Sequence, residues 1–190
     1  MSQNTKGEKS KENLIECAAK LFLEKGYNAT GINDILNSAR LSKGSFYFYF
    51  ASKKDLAMEV AEYYNRIKVN EISRAAEGRT WESFVEKIVG DEIEKAKQQN
   101  SYGCPNAVLG MEVSFLEPDI AERYYTTIKN QVGIFVDVLE RSGISEDKAA
   151  IIAERAFAMY EGYLLFYRMS KDINELEKLL RDLKMIYKYI

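Results

Sequence analysis

Histidine is absent from all 190 residues. That excludes Ser-His-Asp and Cys-His catalysis, histidine metal sites and histidine pH switching. Only two cysteines occur, Cys17 and Cys104, and they form no CxxC pair. Free thiols in a reducing cytoplasm are the expected reading. The two prolines, Pro105 and Pro118, leave long intervals without a helix breaker. No run of 18 apolar residues escapes charge, so neither a membrane span nor a membrane partner is expected. The polar stretch from Met1 to Glu12 has no apolar segment of the kind a secretory signal requires. No metal-ligand cluster, phosphate loop or nucleophile–base pair stands out. Neither a metal nor a cofactor is therefore expected, and an enzyme is not the expected class.

What is present is a core and a charge gradient. Hydrophobic residues make up 46% and charged residues 29%, enough for a packed interior under a charged surface. The net charge is −2, but its distribution is uneven. Residues 1–56 carry nine Lys/Arg against six Asp/Glu, and the remainder carries 18 against 23. That polarity suits a chain presenting one end to phosphate. Stretches rich in Ala, Glu, Lys and Leu, without strand-like alternation, predict an all-α fold of about nine helices.

Apolar periodicity places the elements. Leu14, Ile15, Ala18, Leu21 and Phe22 make one stripe of a helix from about Ser10 to Lys25, stopped at Gly26. Thr30 is the expected N-cap of a short helix burying Ile32, Ile35, Leu36 and Ala39. A break near Arg40-Leu41 precedes a third helix, capped by Ser42 and running from Lys43 to about Phe50. Ser52 caps a fourth, reaching about Glu77. Two short helices joined by a tight turn and packed on a longer one make a helix-turn-helix. Further helices are expected from Thr80 to about Asn100, Asn106 to Phe115, Pro118 to Arg141, Ser145 to about Met169, and about Asp172 to Ile190.

The run Phe46-Tyr47-Phe48-Tyr49-Phe50 carries the most information. By composition it suits a buried strand. On a helix it divides. Phe46 and Phe50 are i,i+4 partners on the core face. Gly44, Ser45 and Phe48 point away, and Tyr47 and Tyr49 flank the stripe. Exposed aromatics leave apolar area in water, and a DNA groove gives them a purpose. Aromatic faces meet thymine methyl groups, and tyrosine hydroxyls reach phosphates. Gly44 and Ser45 are small enough for close approach to base edges, and Lys43 adds a mobile cation.

Taken in register, Leu21-Phe22, Lys25-Gly26-Tyr27, Ala29-Thr30, Ile32, Ile35, Leu41 through Tyr47, Tyr49-Phe50 and Ser52 through Leu56 resemble the N-terminal domain of TetR/AcrR-family transcriptional regulators. The resemblance covers about residues 10–56 closely, and the remainder by helix number and length. It implies an N-terminal helix-turn-helix DNA-binding domain, 1–56, and a C-terminal effector-binding and dimerisation domain, 57–190. It further implies phosphate contacts from Thr30, Tyr47 and Lys53, and a base or phosphate contact from Asn33. Lys43, Gly44 and Ser45 would open the groove-entering helix, with Phe48 and Tyr49 facing the groove. Each lysine has a solvated surface charge as its alternative reading. Three positions depart from the family. Arg40 stands where glycine is usual, which costs roughly 1 kcal/mol if the backbone is left-handed there, unless Arg40 gains a phosphate contact. Gly31 replaces a hydroxyl residue. Phe48 offers a base only apolar contact.

Two long stripes mark the C-terminal part. Ile173, Leu176, Leu180, Leu183, Tyr187 and Ile190 follow 3-4 spacing, as do Ala150, Ala153, Phe157, Tyr160, Leu164 and Tyr167. Ile152, Ala156, Met159, Tyr163 and Phe166 add a second stripe, so this helix must bury two sides. In the family these two helices form a four-helix dimer interface, expected here at Phe157, Tyr160, Leu164, Leu176, Leu180 and Leu183, with purely internal packing as the alternative. Tyr63, Trp81, Phe84, Met111, Phe115, Tyr124, Phe135, Met159 and Tyr163 suggest an apolar effector pocket, with ordinary core as the alternative at each. Glu112 and Glu161, within otherwise apolar helices, could pair with a cationic ligand or lie at the surface. The expected function is a ligand-responsive regulator, by default a repressor, that binds a pseudo-palindromic double-stranded DNA operator as a homodimer and is released by a small apolar effector of unknown identity. The rivals are a DNA-organising or partner-regulated protein with the same head and no small ligand, and a helical adaptor.

Overall fold

The computed structural model describes residues 6–99 and 101–186. Among them it is all-α, with nine helices and no strand. They are α1 (Lys6–Lys25), α2 (Ile32–Ala39), α3 (Lys43–Tyr49), α4 (Lys53–Ala76), α5 (Trp81–Lys97), α6 (Pro105–Val113), α7 (Pro118–Arg141), α8 (Glu146–Ser170) and α9 (Asn174–Met185). The expected helix end at Asn100 and the last residues of the α9 seam, Tyr187 and Ile190, lie outside the described residues.

Local chemistry sets most boundaries. Ser42 caps α3 by accepting from the Ser45 N–H at 3.2 Å, and Ser52 caps α4 by accepting from the Asp55 N–H at 3.1 Å. The N-cap of α2 is Gly31, not Thr30, with the Asp34 carboxylate accepting from the Gly31 N–H at 2.8 Å. Pro105 opens α6, where its missing N–H leaves no bond unmade, so Asn106 lies inside the helix rather than capping it. Arg40 ends α2 with φ 55° and ψ 42°, so the backbone is left-handed at the position where glycine is usual. The Leu41 N–H reaches back to the Leu36 carbonyl at 3.1 Å, which closes the turn.

Packing divides the chain into two compact units, Met1–Arg66 with Pro105–Tyr125 and Ile67–Cys104 with Thr126–Ile190. The unit built around the helix-turn-helix extends past the expected boundary at residue 56 and takes in the first part of α4, all of α6 and the start of α7. Its core joins Leu14, Phe22, Ile35, Phe46 and Phe50 to Val60, Leu109, Val113, Ile120 and Tyr124. Gly110 permits the close crossing of α6 and α7, since a Cβ there would meet Tyr124 Cβ at 3.1 Å.

The second unit is centred on aromatics. Phe135 packs edge-on against Trp81, Phe84 and Phe157 at centroid distances of 5.6, 5.1 and 5.4 Å. The Trp81 indole N–H donates to the Leu183 carbonyl at 2.9 Å, which ties α5 to α9. Tyr163 donates to Asp182 at 2.6 Å, which ties α8 to α9.

Candidate nucleic-acid interface

α3 is held from beneath and open above. Phe46 and Phe50 are buried, with ring centroids 5.7 Å apart, and fix the helix on its unit. Tyr47 is 51% and Phe48 80% exposed. Lys43 and Gly44 are exposed beside them, Ser45 and Tyr49 are half-buried, and the Lys43 ammonium lies 6.0 Å from the Tyr47 ring centroid. Asn33 and Arg40 are exposed on the neighbouring α2. The expected groove-facing set is thus present as a surface of small, aromatic and cationic groups. On a helix this thin, such a surface suits the major groove of B-DNA.

Two expected contacts sit differently. Thr30 is fully buried, and its hydroxyl donates to the Gly26 carbonyl at 2.7 Å. It fastens the α1–α2 turn and presents no hydroxyl to phosphate. Lys53 donates to the Tyr27 and Thr30 carbonyls at 3.0 and 3.2 Å, and its ammonium lies 4.2 Å from the Tyr27 ring centroid. Its charge is directed first at the same turn. A capping hydroxyl and a buried one look alike in sequence, and only the chain's path separates them.

The sequence reading missed what steadies this turn. Glu112 of α6 accepts from the backbone N–H groups of Tyr27 and Asn28, each at 2.9 Å. Gly26 makes room for it, because a Cβ there would lie 2.9 Å from Glu112 Oε1. Lys54 bridges Glu117 and Asp119 at 2.9 and 2.8 Å. Hydrogen bonds from Lys54 hold the Asp119 carboxyl below its usual range, and those bonds raise Lys54 in turn.

The residues expected to line an apolar effector pocket fall in different settings. Trp81, Phe84 and Phe135 are close-packed core. Met111 and Phe115 are exposed, Tyr124 is buried in the core of the other unit, Tyr63 packs against that core, and Met159 and Tyr163 are half-buried. The second unit contains a cavity of about 40 Å³ between α4, α5, α7 and α8, bordered by the polar Lys68, Glu92, Gln131 and Tyr160 and the apolar Ile72, Ile88 and Leu164. Aromatic spacing alone could not show that these rings fill their own space.

The expected interface stripe is also corrected. Phe157, Tyr160, Leu164, Leu176 and Leu183 are buried within the single chain, and Leu180 is half-buried. The apolar surface left open on α8 is the neighbouring stripe of Ile151, Leu165, Phe166 and Met169, with exposed Ala158 on the same side. Heptad spacing shows which residues share a face, not which of two faces is internal.

Among the described residues no cluster of three or more acidic or cysteine ligands is placed to hold a metal, and no helix is long and apolar enough to cross a membrane.

Comparison with known proteins agrees with this geometry. Residues 14–60 match the family model described as bacterial regulatory proteins, tetR family. Residues 82–181 match the one described as transcriptional regulator LmrA/YxaF-like, C-terminal domain. The HTH-type transcriptional regulator LmrA of Bacillus subtilis is 27% identical over 171 residues, covering 86% of this chain and 88% of that protein. An uncharacterized HTH-type transcriptional regulator in the lacX 3' region of Lactococcus lactis subsp. lactis is 27% identical over 177 residues, with 88% of each covered. Among solved structures, the reduced form of E. coli NemR superposes with a TM-score of 0.84 at 21% identity, covering 93% of this chain and 95% of that one.

Proposed function

The chain belongs to the TetR family of DNA-binding transcriptional regulators and is not an enzyme, and from this premise we propose that it acts in the cytoplasm as a homodimeric repressor released by a small-molecule effector. Two subunits present their α3 helices to successive major grooves on one face of a pseudo-palindromic operator. Lys43, Arg40 and the Tyr47 hydroxyl take phosphate contacts that set register, and Gly44, Ser45, Phe48 and Tyr49 lie against base edges. The exposed stripe of α8 supplies the surface for the partner. An effector that binds the DNA-incompetent state better by a few kcal/mol relieves repression.

The observation that carries this reading is α3, which exposes Phe48 and Tyr47 while Phe46 and Phe50 anchor it. An aromatic surface of that kind on a short helix has an evident purpose against a groove. The test is binding to the DNA upstream of its own gene and to selected DNA pools, across a salt series, beside Lys43→Ala and Tyr47→Ala. Specific binding that weakens steeply with salt, with a slope reduced by about one per phosphate contact removed, is the expected result. Equal binding to all sequences in both formats would overturn it.

The small volume of the cavity favours a second reading, a regulator controlled by a protein partner rather than a small molecule. Release of operator DNA by purified small molecules alone separates the two.

A further inference from the structure

Phe48 is the residue of α3 that packing does not explain. Its ring is 80% exposed, while Phe46 and Phe50 on either side are buried. It is held in place all the same. The ring meets that of Tyr49 edge-on, with centroids 4.9 Å apart. Tyr49 in turn lies against the buried Phe50 at 6.4 Å, and Phe50 against Phe46 at 5.7 Å. A row of rings thus runs from the core to the surface, and Phe48 ends it with a pre-set apolar face.

The same face of α3 is kept small. Gly44 and Ser45 stand four and three residues before Phe48, one turn back on the helix. A Cβ at Gly44 would meet no side chain but that of Ser42, whose Oγ lies at an ordinary contact distance of 3.8 Å. The fold therefore has room for alanine, which a helix prefers, and the bare backbone serves something outside the chain. The Ser45 hydroxyl is already engaged with that of Ser42 at 3.0 Å. A phenyl ring can neither donate to the N7 or O6 of a purine nor accept from an exocyclic amine. Pressed against those edges without water, it would leave them unsatisfied. The base edges of the major groove have one apolar feature, the methyl group on C5 of thymine.

We propose that Phe48 is a specificity-determining residue that reads a pyrimidine C5 methyl group in each operator half-site, carried by thymine or by 5-methylcytosine. Gly44 lets α3 approach closely enough for the ring to reach it, and Tyr49 is the positioning residue behind the ring. Affinity at that base pair is set by a methyl group and not by a base hydrogen bond. The inference rests on the DNA-binding reading above and names the chemistry that its recognition helix selects.

The probe is the duplex that the wild-type full chain selects from a randomised DNA pool, resynthesised with each thymine replaced in turn by deoxyuridine, an exchange that removes only the methyl group. Fluorescence anisotropy measures binding by wild type, Phe48→Ala and Phe48→Leu, with circular dichroism checking that each variant is folded. At one thymine in each half-site the exchange should weaken wild-type binding about fourfold, the worth of one buried methyl, and about sixteenfold when both half-sites carry it. The loss should shrink below about twofold in Phe48→Ala and persist in part in Phe48→Leu. The salt dependence of all three should stay the same, since no phosphate contact is touched. With a C·G pair at that position, methylation of cytosine C5 should strengthen wild-type binding by about the same fourfold, and that of Phe48→Ala hardly at all. Selected half-sites without thymine, indifference of the wild type to every exchange, a loss of equal size in Phe48→Ala, or no gain from 5-methylcytosine would overturn the proposal. In each of those cases a selected duplex bound with steep salt dependence still upholds the DNA-binding reading. If the pool yields no preferred duplex, sequence-specific binding fails and the proposal fails with it.

Discussion

Arg40 shows how a single residue can sit against its own backbone preference. Its φ of 55° places Cβ close to the following carbonyl, and glycine removes that conflict. Arg40→Gly should therefore raise stability by about 1 kcal/mol and the melting temperature by about 2–4 °C. If the exposed guanidinium meets a phosphate, the same variant binds operator more weakly and with a shallower salt dependence. Calorimetric melting and a salt titration measure the two effects, and a more stable protein with unaltered DNA binding would remove Arg40 from the interface. Glu161 makes the complementary case, a buried group whose folded pKa is raised from its ordinary 4.5 to about 7. The folded state binds that proton more tightly than the unfolded one, so the stability it contributes is complete below about pH 4.5 and is lost as pH rises towards 7. The loss is roughly 3 kcal/mol over that window. In Glu161→Gln, urea unfolding at pH 5 and pH 8 should lose this decline, and an unchanged slope would mean that Glu161 is solvated. Much at this scale was legible in the sequence. The i,i+4 relation placed Phe46 and Phe50 inward and Phe48 outward, and the cap residues at Ser42 and Ser52 held. Thr30 and Lys53 were not legible in the same way, because their partners are carbonyls of the α1–α2 turn, whose path no local pattern records.

At the scale of elements, α6 steadies the helix-turn-helix although it lies far from it in sequence. Its Glu112 satisfies two N–H groups of the α1–α2 turn, 85 and 84 residues away along the chain. The turn in turn sets the start of α2 and, through Thr30 and Lys53, the approach of α4. Glu112→Ala should cost about 1–3 kcal/mol by leaving those N–H groups without their acceptor. Glu112→Gln should cost less, since the amide keeps one carbonyl oxygen. Amide hydrogen exchange at Tyr27 and Asn28 should quicken in both, more in the alanine variant, with DNA affinity falling in the same order. Exchange that stayed at its wild-type rate would show that the turn holds without α6. The order and approximate lengths of the helices were readable from apolar periodicity, but this link was not. Glu112 sits in an apolar stretch, where a sequence offers only a ligand or the surface as its partner. A backbone turn in another part of the chain is a third answer that needs the fold.

For the whole molecule, the question is which face of α8 would serve the proposed dimer. The spacing of Phe157, Tyr160 and Leu164 gave a convincing seam, yet the chain buries that seam, with Phe135 of α7 against Phe157 and Tyr160 and α9 alongside α8, and leaves Ile151, Leu165, Phe166 and Met169 outside. An amphipathic helix with two apolar sides specifies two contacts without ordering them, and the aromatic residues of α5 and α7 decide the order by filling the space beneath Phe157. The two faces therefore predict different failures. Phe157→Ala should open a core cavity and lower stability by about 3–5 kcal/mol, with the folded fraction still dimeric. Phe166→Glu places a charge on the open stripe, where the monomer loses little and a partner surface would have to bury it. Sedimentation should then find folded monomer. Operator affinity should fall by about 10²–10⁴-fold, because the second half-site is no longer tethered to the first. A Phe166→Glu protein that remains dimeric and binds operator normally would assign the interface to another surface, and would leave the exposed stripe of α8 to a different partner.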